Sequence, residues 1–357
     1  MAAALALGRR GQGRCAPNPA VGCVIVAGGR LVGRGRTADG GRPHAETEAL
    51  AQAGEAARGA TAYVTLEPCA HHGKTPPCAD ALIAAGIARC VVALSDPDPR
   101  VAGQGIERMR AAGIDVTTGM GEGEARRDHS PFLLRVTEGR PRVTLKLALS
   151  LDGRIATASG ESRWITGPEA RRHVHAMRLS HDAVLVGAGT ARADDPDLTA
   201  RGMGSVPQPV RVVLSRRLDL DPASRLGRTA REVPVWLLHG AAAPDAQRGA
   251  WAATGAQLTE VPGPRGSVMP MDAVLRALGD GGINSVLVEG GGSLAAGLLA
   301  ANLVDEIAAF TAGLALGAEG RPGIGALGLH ELAEAHRFRL MDAHAVGADV
   351  LHRWVRD

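Results

Sequence analysis

Residues 65–78 read TLEPCAHHGKTPPC, and this stretch decides how the first half of the chain folds. The β-type residues at 61–66 predict a strand that ends at the Pro-Cys pair, and residues 76–85 predict a helix with the last cysteine near its start. Earlier in the chain, the tripeptide HAE at 44–46 opens a helix predicted over 44–58. One histidine and two cysteines therefore lie at the ends of predicted elements.

His44, Cys69 and Cys78 form a donor set suited to zinc. One imidazole and two thiolates fit a tetrahedral zinc ion, and three protein ligands leave the fourth position for water. Zinc lowers the pKa of that water, and Glu46, two residues after His44, can move the proton. H-x-E followed by P-C is the signature of zinc nucleobase deaminases, in which hydroxide attacks a ring carbon and ammonia leaves. The pattern predicts a catalytic zinc centre.

Other interpretations of these residues stay open. Scattered His and Cys residues are most often packing residues, and a closed structural zinc would recruit a fourth ligand, for which His71 or His72 is available. A zinc-stabilised binding protein is the non-enzymatic alternative, and a nucleic-acid base editor shares the zinc core. We favour the catalytic interpretation because the ordered set of motifs satisfies several independent requirements. Cys15, Cys23 and Cys90 are assigned to packing.

The composition is that of an ordinary globular protein. A chain of 357 residues predicts two domains at ~150 residues each. Lys and Arg number 40 against 37 Asp and Glu, which leaves a net charge of +3. Four Trp, three Phe and one Tyr are too few for a repeated base-stacking surface. We expect no nucleic-acid partner.

The sequence also favours a cytoplasmic protein with no membrane partner. Its apolar runs fall short of the ~18 residues that a membrane-spanning helix needs. Arg9 and Arg10 follow the apolar start of the chain, whereas in a signal peptide the basic residues come first. The five cysteines are an odd number, which fits a reducing compartment better than a disulfide framework.

Alternating β-type and helical segments predict an α/β fold in both halves. We expect a first domain over 1–120, a polar and charged linker over 121–141, and a second domain over 142–357. In the first domain, strands are predicted at 20–26, 31–36, 61–66, 90–94 and 114–117, and helices at 44–58, 76–85 and 103–112. In the second, strands are predicted at 142–149, 183–186, 210–214, 235–239 and 285–288, and helices at 168–179, 272–278 and 293–301. Residues 240–266, rich in Gly, Ala and Pro, are expected to form a loop or an irregular helix.

A second constellation is the run VLVEGGGS at 286–293. A strand, a glycine turn and a helix start can hold a pyrophosphate, because backbone N–H groups and the helix dipole attract anions there. An ordinary glycine turn is the alternative, and this feature alone favours that alternative. The first strand of this half is not followed by G-x-G-x-x-G, which argues against a standard Rossmann domain.

The first half resembles the deaminase half of bifunctional riboflavin biosynthesis proteins of the RibD type. The matching motifs are PNPAVG at 17–22, HAE at 44–46 and the stretch at 65–78. Eight residues separate Cys69 from Cys78, as in the riboflavin-pathway form, whereas most cytidine-deaminase-like enzymes have two. The resemblance implies a cytidine-deaminase-like domain, with a mixed sheet between helices.

The same resemblance implies that substrate contacts come from Asn18, His71, Lys74 and Asp96. Lys74 is a candidate phosphate ligand, because a flexible ammonium suits a dianion; by itself it would be a solvated loop residue. Asp98 stands where the family usually has Asn. An ionised carboxylate cannot donate a hydrogen bond, so a substrate contact by Asp98 is in doubt.

The second half resembles the matching reductase half. The motifs are KLALSLDGR at 146–154, SRWIT at 162–166, GAGT at 187–190 with ADDP at 193–196, and EGGGSL at 289–294. The resemblance implies a dihydrofolate-reductase-like fold that uses NADPH. The implied NADPH contacts are Ala148, Trp164, Thr190, Asp194, Ser215, Gly290, Gly291, Gly292 and Ser293. The implied substrate contacts are Ser162, Arg178, Leu198, Arg201 and Glu289.

Arg178 and Arg201 can fork onto a ribose phosphate, although isolated surface arginines are usually solvated. Asp152 and Lys146 are candidates to position or protonate the sugar. Arg216 and Arg217 could reach the 2′-phosphate of NADP, with a solvated pair as the alternative. Together the halves cover residues 1–356.

The resemblance implies two successive reactions. The first is zinc-dependent hydrolytic deamination of 2,5-diamino-6-(5-phosphoribosylamino)pyrimidin-4(3H)-one. The second is NADPH-dependent reduction of the ribosyl group of the resulting 5-amino-6-(5-phosphoribosylamino)uracil to a ribityl chain. A homodimer through the reductase domain is also implied, and a chain with only one active half is the alternative, because of Asp98.

Overall fold

The chain divides into two compact units, Met1–Gly139 and Arg140–Asp357. The structure is a computed structural model, and it describes residues 1–71, 76–98, 102–263 and 269–356. In that part of the chain, no helix combines the length and the apolar character needed to cross a bilayer.

The first unit is a five-stranded mixed sheet with helices packed on it. Its elements are α1 (Ala2–Arg9), β1 (Gly22–Ala27), β2 (Arg30–Arg36), α2 (Ala45–Ala53), β3 (Thr61–Val64), α3 (Cys78–Ala84), β4 (Arg89–Val92), α4 (Gln104–Ala111), β5 (Asp115–Thr118) and α5 (Glu122–Glu138). The strand order is β2-β1-β3-β4-β5. β1 is antiparallel to β2 and β3, while β3, β4 and β5 run parallel.

Close packing of α2 on β2 sets the start of α2, which is where the predicted zinc ligand and proton carrier lie. The helix buries Ala45, Ala49 and Ala53, all small side chains. A Cβ on Gly35 of β2 would lie 2.3 Å from the Ala45 carbonyl oxygen, so only glycine permits this approach. Short side chains on both elements therefore bring α2 down onto the sheet.

The segment predicted as a linker, 121–141, contains helix α5. Its buried residues are Ala125, His129 and Phe132, and Ala125 and Phe132 belong to the hydrophobic core of the first unit. The helix was missed because its remaining positions are mostly charged or polar and Pro131 interrupts the pattern. The division between the two units falls after Gly139, at the end of this helix.

The second unit is built on a nine-stranded sheet. Its elements are β6 (Arg142–Leu149), β7 (Arg154–Ala156), α6 (Pro168–Leu179), β8 (Ala183–Gly187), α7 (Ala188–Asp194), β9 (Val210–Leu214), α8 (Arg225–Arg228), β10 (Val235–His239), α9 (Asp245–Thr254), β11 (Gln257–Glu260), α10 (Met271–Asp280), β12 (Ser285–Val288), α11 (Gly292–Ala300), β13 (Glu306–Thr311), β14 (Arg321–Pro322), β15 (Arg339–Val346) and β16 (Asp349–Val355). The large sheet has the order β11-β10-β9-β8-β12-β6-β13-β16-β15, and β7 pairs with β14. From β11 to β13 in this order, each strand runs parallel to its neighbours. β16 is antiparallel to β13, and β15 is antiparallel to β16.

Parallel strands bring their carboxyl ends to the same edge of the sheet. The loops after β8, β9, β12 and β6 therefore lie along one edge, where ligands bind in open α/β sheets. Each strand predicted in the second half is present. The expectation of a loop or an irregular helix over 240–266 is wrong, because this stretch contains the regular helix α9 and the strand β11, which pairs with β10.

Candidate active sites

The three predicted zinc ligands come together in the first unit. His44 is the residue before α2, Cys69 follows β3, and Cys78 is the first residue of α3. His44 Nδ1 lies 3.3 Å from Cys78 Sγ and 3.7 Å from Cys69 Sγ. The Cys78 backbone N–H donates to Cys69 Sγ at 3.3 Å. The start of α2, the segment after β3 and the start of α3 therefore bring the three residues of the motif into one cluster.

This donor set fits zinc. Zinc bonds of about 2.0 Å to nitrogen and 2.3 Å to sulfur in a tetrahedron place nitrogen and sulfur ligands about 3.5 Å apart, near the observed distances. The ligand atoms all lie within 4.8 Å of one another, and no fourth His, Cys, Asp or Glu joins this group in the described part of the chain. His71 is thus outside the group, and His72 lies outside the described residues. Three ligands are typical of a catalytic site.

The protein alone favours one thiolate in this site. A hydrogen bond with the Cys78 thiol, together with the hydrogen bond to His44, lowers the pKa of Cys69 to about 4, against the effect of burial. The pKa of Cys78 is raised, chiefly because its thiol proton is shared with Cys69. Both sulfurs must be thiolates to hold zinc, so metal binding would release this proton.

Glu46 is buried beside the ligands, with a relative exposure of 3%. Burial, reinforced by the charge of Cys69, raises the pKa of Glu46 to about 7. A carboxyl group with a pKa near neutrality accepts and releases protons readily at physiological pH. The residue predicted as the proton carrier is therefore a buried carboxyl group beside the three predicted ligands.

Asn18 lies beside a predicted zinc ligand, and His71 has a buried nitrogen without a partner in the part of the chain that the structure describes. The Asn18 side-chain nitrogen donates to the Gly41 carbonyl at 2.7 Å and lies 3.4 Å from His44 Nε2. The buried Nδ1 atom of His71 has no hydrogen-bond partner among the described residues. Lys74, the candidate phosphate ligand, lies outside the described residues.

Asp96 and Asp98 are both buried in the loop after β4. Asp96 Oδ1 accepts a hydrogen bond from the Asp98 backbone N–H at 2.9 Å. The backbone of position 98 thus shapes the loop, whichever side chain it carries.

Glu67 is a residue of this site that the sequence analysis missed. It is 4% exposed, and its carboxylate accepts hydrogen bonds from four backbone N–H groups. The sequence offered one signal: Glu67 is an acidic residue directly after the strand predicted at 61–66 and two positions before Cys69. A carboxylate at such a buried position requires hydrogen-bond partners.

In the second unit, the predicted substrate residues Arg178 and Glu289 form a bidentate ion pair. Arg178 Nε and Nη2 donate to the two carboxylate oxygens of Glu289 at 2.6 and 2.8 Å, and Nη1 donates to the Thr199 carbonyl at 2.7 Å. The two side chains are 12% and 8% exposed. The Arg178 guanidinium, which the sequence analysis expected to bind a phosphate, therefore binds the carboxylate of Glu289 instead.

Charges around this ion pair are coupled. Burial raises the pKa of Glu289, but the hydrogen bonds and charge of Arg178 outweigh burial, and the net pKa is lowered. Burial lowers the pKa of Lys146, opposed by the charge of Glu289. The charge of Arg178 adds to the effect of burial, so the net pKa of this amine, which lies near one carboxylate and one guanidinium, is lowered.

Asp152 is held by hydrogen bonds from two segments of the second unit. The Ser150 hydroxyl and the backbone N–H groups of Leu316 and Gly317 donate to its carboxylate. These hydrogen bonds, led by the one from Ser150, lower the pKa of Asp152 to about 2. A carboxylate with that pKa is ionised at neutral pH, which favours the positioning role predicted for Asp152 over the proton-donating one.

The residues predicted to bind NADPH follow the parallel strands at their carboxyl ends. Thr190 is in α7, directly after β8, and Gly290–Ser293 follow β12 and begin α11. A Cβ on Gly290 would lie 2.8 Å from Thr190 Oγ1, so the turn contacts α7 directly. Ser215 follows β9, and its hydroxyl donates to Asp219.

The other predicted residues lie in or beside the loops of the second unit. Ala148 is near the end of β6, and Asp194 ends α7, with its carbonyl accepting from Arg163 at 3.3 Å. Trp164 is 67% exposed, and the Arg171 guanidinium lies 4.5 Å from its ring centre. The remaining residues are Ser162, which is half-buried, Leu198, which is buried with a positive φ of 56°, Arg201, which pairs with Asp197, and Arg216 and Arg217, which follow Ser215.

Two family models match the chain. The cytidine and deoxycytidylate deaminase zinc-binding region matches residues 1–94, and the RibD C-terminal domain matches residues 141–352. Among curated proteins, the riboflavin biosynthesis protein RibD of Escherichia coli K12 is 44% identical over 362 residues, which is 98% of this chain and 96% of the relative. The protein of the same name from Aquifex aeolicus is 40% identical, with 98% and 96% covered.

Solved structures match over the same length. RibD of Acinetobacter baumannii, form 1, is 40% identical with a TM-score of 0.89 and covers 99% of this chain and 97% of its own. A diaminohydroxyphosphoribosylaminopyrimidine deaminase/5-amino-6-(5-phosphoribosylamino)uracil reductase from Thermotoga maritima is 35% identical with a TM-score of 0.86, with 100% and 97% covered.

Proposed function

The chain belongs to the RibD family, whose members are bifunctional deaminases and reductases of riboflavin biosynthesis, and on that premise we propose which residues carry each reaction. The predicted fold class, a deaminase domain followed by a reductase domain, is confirmed by these matches, as is the predicted enzyme class. The non-enzymatic alternative, a zinc-stabilised binding protein, is wrong.

The proposed substrate of the first unit is 2,5-diamino-6-(5-phosphoribosylamino)pyrimidin-4(3H)-one, and the reaction is hydrolytic deamination. His44, Cys69 and Cys78 hold zinc, which when bound lowers the pKa of a water molecule in the open fourth position. Glu46 accepts a proton at its carboxylate and returns it to the amino group that leaves as ammonia. The observation that carries this proposal is the cluster of three ligands with the buried Glu46 beside it.

Substrate binding in the first unit is assigned to Asn18, His71, Lys74 and Asp96. The proximity of the Asn18 amide to His44 and the unpartnered Nδ1 of His71 support two of these assignments. A buried nitrogen without a partner is unfavourable in the free protein, and a hydrogen bond from a ligand would relieve that cost.

The second unit is proposed to reduce the ribosyl group of 5-amino-6-(5-phosphoribosylamino)uracil to ribityl. NADPH, when bound, supplies the hydride. The turn Gly290, Gly291, Gly292 and Ser293 begins the nine-residue helix α11, and its N–H groups suit a pyrophosphate. Ala148, Trp164, Thr190, Asp194 and Ser215 complete the proposed cofactor contacts, and Arg216 and Arg217 are candidates for the 2′-phosphate.

The two arginines among the proposed substrate contacts of the second unit, Arg178 and Arg201, differ in exposure and in their acidic partners. The guanidinium of Arg201 is about half exposed and is free to approach a phosphate by exchanging its contact with Asp197. Arg178 is held by Glu289, so the pair presents a fixed polar surface rather than a mobile cation. Lys146 is proposed to lie against the sugar, and Ser162 and Leu198 shape the remaining contact.

One assay tests both reactions. The purified chain is mixed with the diaminopyrimidine substrate, and ammonia and the NADPH absorbance are followed together. We expect one ammonia per NADPH oxidised, ammonia alone when NADPH is omitted, and about one zinc per chain by metal analysis. Full ammonia release without zinc would contradict the zinc assignment, and release of ammonia with no NADPH oxidation would mean that only the first half is active.

A homodimer through the second unit is also proposed. β15 is an edge strand of the nine-stranded sheet. The unpaired backbone groups of such an edge can pair with a strand of another chain. Leu340 pairs with Trp354 and Ala345 pairs with Val350, so these residues share one face, on which Leu340 and Val350 are each 47% exposed. A largely apolar face beside an open edge, interrupted by His352 opposite Ala343, suits a second copy of the chain, because each copy would cover the other's face.

The oligomeric state tests this surface. We expect a dimer by light scattering, and a monomer for Leu340→Glu. Leu31→Glu is the matched control, because Leu31 is also an exposed leucine, in the first unit. A dimer that survives Leu340→Glu would exclude this face. We propose further that the protein is cytoplasmic and binds no nucleic acid; the odd number of cysteines and the small number of aromatic residues support these proposals.

A further inference from the structure

Glu67 connects the zinc-ligand segment to the loop that carries Asp96. Its Oε2 accepts hydrogen bonds from the backbone N–H groups of Asp96 at 3.2 Å and Gly103 at 3.1 Å. Its Oε1 accepts from Gly105 at 3.0 Å and Ile106 at 3.3 Å. The four donors lie after β4 and at the start of α4. One carboxylate therefore gathers two separate stretches of backbone.

Each oxygen of this carboxylate accepts two hydrogen bonds, which stabilises a buried negative charge. Among the described residues all four donors are backbone amides, so the partners cannot rotate away as side chains can. The residue before α4 is Gly103, which has no side chain to cap the helix. Glu67 supplies the acceptor that a capping side chain would normally provide.

A second contact holds the same two segments together. A Cβ on Gly105 would lie 2.0 Å from the carbonyl oxygen of Pro68, the residue between Glu67 and Cys69. The start of α4 therefore packs directly on the backbone next to a zinc ligand, and a larger residue at 105 would push the two apart.

We propose that Glu67 is a positioning residue for deamination, which sets the distance of Asp96 from the zinc ligands. The carboxylate fixes the Asp96 backbone, and Asp96 in turn accepts from the Asp98 N–H at 2.9 Å, which orients the Asp96 side chain. This inference rests on the proposed role of Asp96 in binding substrate. Among the described residues, the carboxylate of Glu67 accepts from backbone amides and not from the zinc ligands, so its proposed effect on the reaction passes through the backbone of Asp96.

A carboxylate is required at this position because of its symmetry. In Glu67→Gln one end of the side chain becomes an NH₂ group, which would face two N–H donors and leave both without an acceptor. The loop would then move away from that end. Glu67→Asp keeps both oxygens but is one methylene shorter, so it preserves the hydrogen-bonding pattern with some displacement.

The test measures deaminase kinetics and zinc content in the full-length chain, with the reductase activity as an internal reference. For Glu67→Gln we expect the KM for the diaminopyrimidine to rise about tenfold with a smaller change in kcat, since a substrate-binding loop is displaced. Glu67→Asp should recover part of this loss. Zinc content and both reductase constants should stay unchanged. Glu48→Gln, at an exposed position of α2, is the matched control and should change nothing.

A double-variant comparison separates positioning from general destabilisation. If Glu67 acts through Asp96, then the KM of Glu67→Gln combined with Asp96→Asn should equal that of Asp96→Asn alone within about a factor of two. Multiplying effects would overturn the proposal, as would an unchanged KM in Glu67→Gln. Loss of zinc in both Glu67→Gln and Glu67→Asp would also overturn it, because the carboxylate would then serve folding only. A wild-type chain that releases no ammonia would instead count against the proposed function.

Discussion

The two units assemble their sites in opposite ways. In the first unit, the ligand residues lie between 44 and 78 and sit beside the starts of α2 and α3, so a short sequence motif encodes nearly the whole centre. In the second unit, Arg178 and Glu289 are 111 positions apart and meet because α6 and the end of β12 reach the same edge of the sheet. A local motif can be found by its spacing, whereas a distributed site depends on topology.

The two sites also handle charge differently. The first pairs a raised pKa on Glu46 with a nitrogen and sulfur donor set, which suits proton transfer at a metal. The second holds a charged carboxylate and guanidinium against each other, so neither exchanges protons at neutral pH. Separate chemistry in separate units predicts that each activity can be removed alone.

The largest expected effect comes from Glu46→Gln. The amide cannot carry the proton, so ammonia release should fall by about 10³-fold or more. Zinc content should be retained, and reduction of the pre-deaminated uracil substrate should continue at the wild-type rate. Ammonia and NADPH assays on one preparation provide the measurement. Parallel loss of both activities in a folded, zinc-containing protein would break the separation between the two sites.

Arg178→Met tests the ion pair of the second unit. Removing one partner leaves Glu289 buried without its cation, which should destabilise this unit by about 3–4 kcal/mol and abolish NADPH oxidation. Ammonia release should be unaffected. Urea unfolding followed by tryptophan fluorescence is a suitable measurement, because all four tryptophans, at 164, 236, 251 and 354, lie in the second unit.

Arg172→Met is the matched control for that experiment. Arg172 lies on the same helix, is 70% exposed and pairs with Glu169 at 3.4 Å, so its loss should change stability by less than about 0.5 kcal/mol. Equal effects of the two substitutions would show that burial does not strengthen the Arg178 pair.

His129 makes the first unit sensitive to acid. Burial lowers the pKa of His129 to about 4, while an unfolded histidine has a pKa of about 6.5. The native state therefore keeps this imidazole neutral, and the unfolded state takes up a proton first as the pH falls. Stability should be complete above pH ~6.5 and should decline by about 3 kcal/mol between there and pH ~4.

Hydrogen exchange of first-unit peptides across this pH range measures the effect. His129→Gln should flatten the pH dependence, whereas His330→Gln, at an exposed position of the second unit, should leave it unchanged. An undiminished acid response in His129→Gln would assign the response to another group.

Arg135→Ala should have the smallest effect. Its guanidinium donates to the Pro17 carbonyl at 2.7 Å, which ties α5 to the segment that carries Asn18. Losing one such hydrogen bond costs about 1 kcal/mol, so the deaminase KM should rise about fivefold at most while the reductase constants stay constant. A change in reductase kinetics would contradict the assignment of α5 to the first unit.

The strands and most helices could be predicted from the sequence because their apolar periodicity is local. The clustering of His44, Cys69 and Cys78 could be predicted because metal coordination demands particular residue types at particular spacings. Helix α5 could not be predicted, because only three of its residues are buried and its many charged residues hide the apolar periodicity. The role of Glu67 also escaped, because its four partners are backbone groups, which carry no sequence signature.

The amino-acid sequence by itself determined which side chains can bind zinc and which strands form. Only the tertiary structure decided that Arg178 faces Glu289 and not open solvent, that Asp152 is engaged by the backbone of Leu316 and Gly317, and that burial moves the pKa of Glu46 toward 7. The reason is physical: residue type sets which contacts are possible, but the pKa and the partner of a polar group depend on which distant segments exclude water from it.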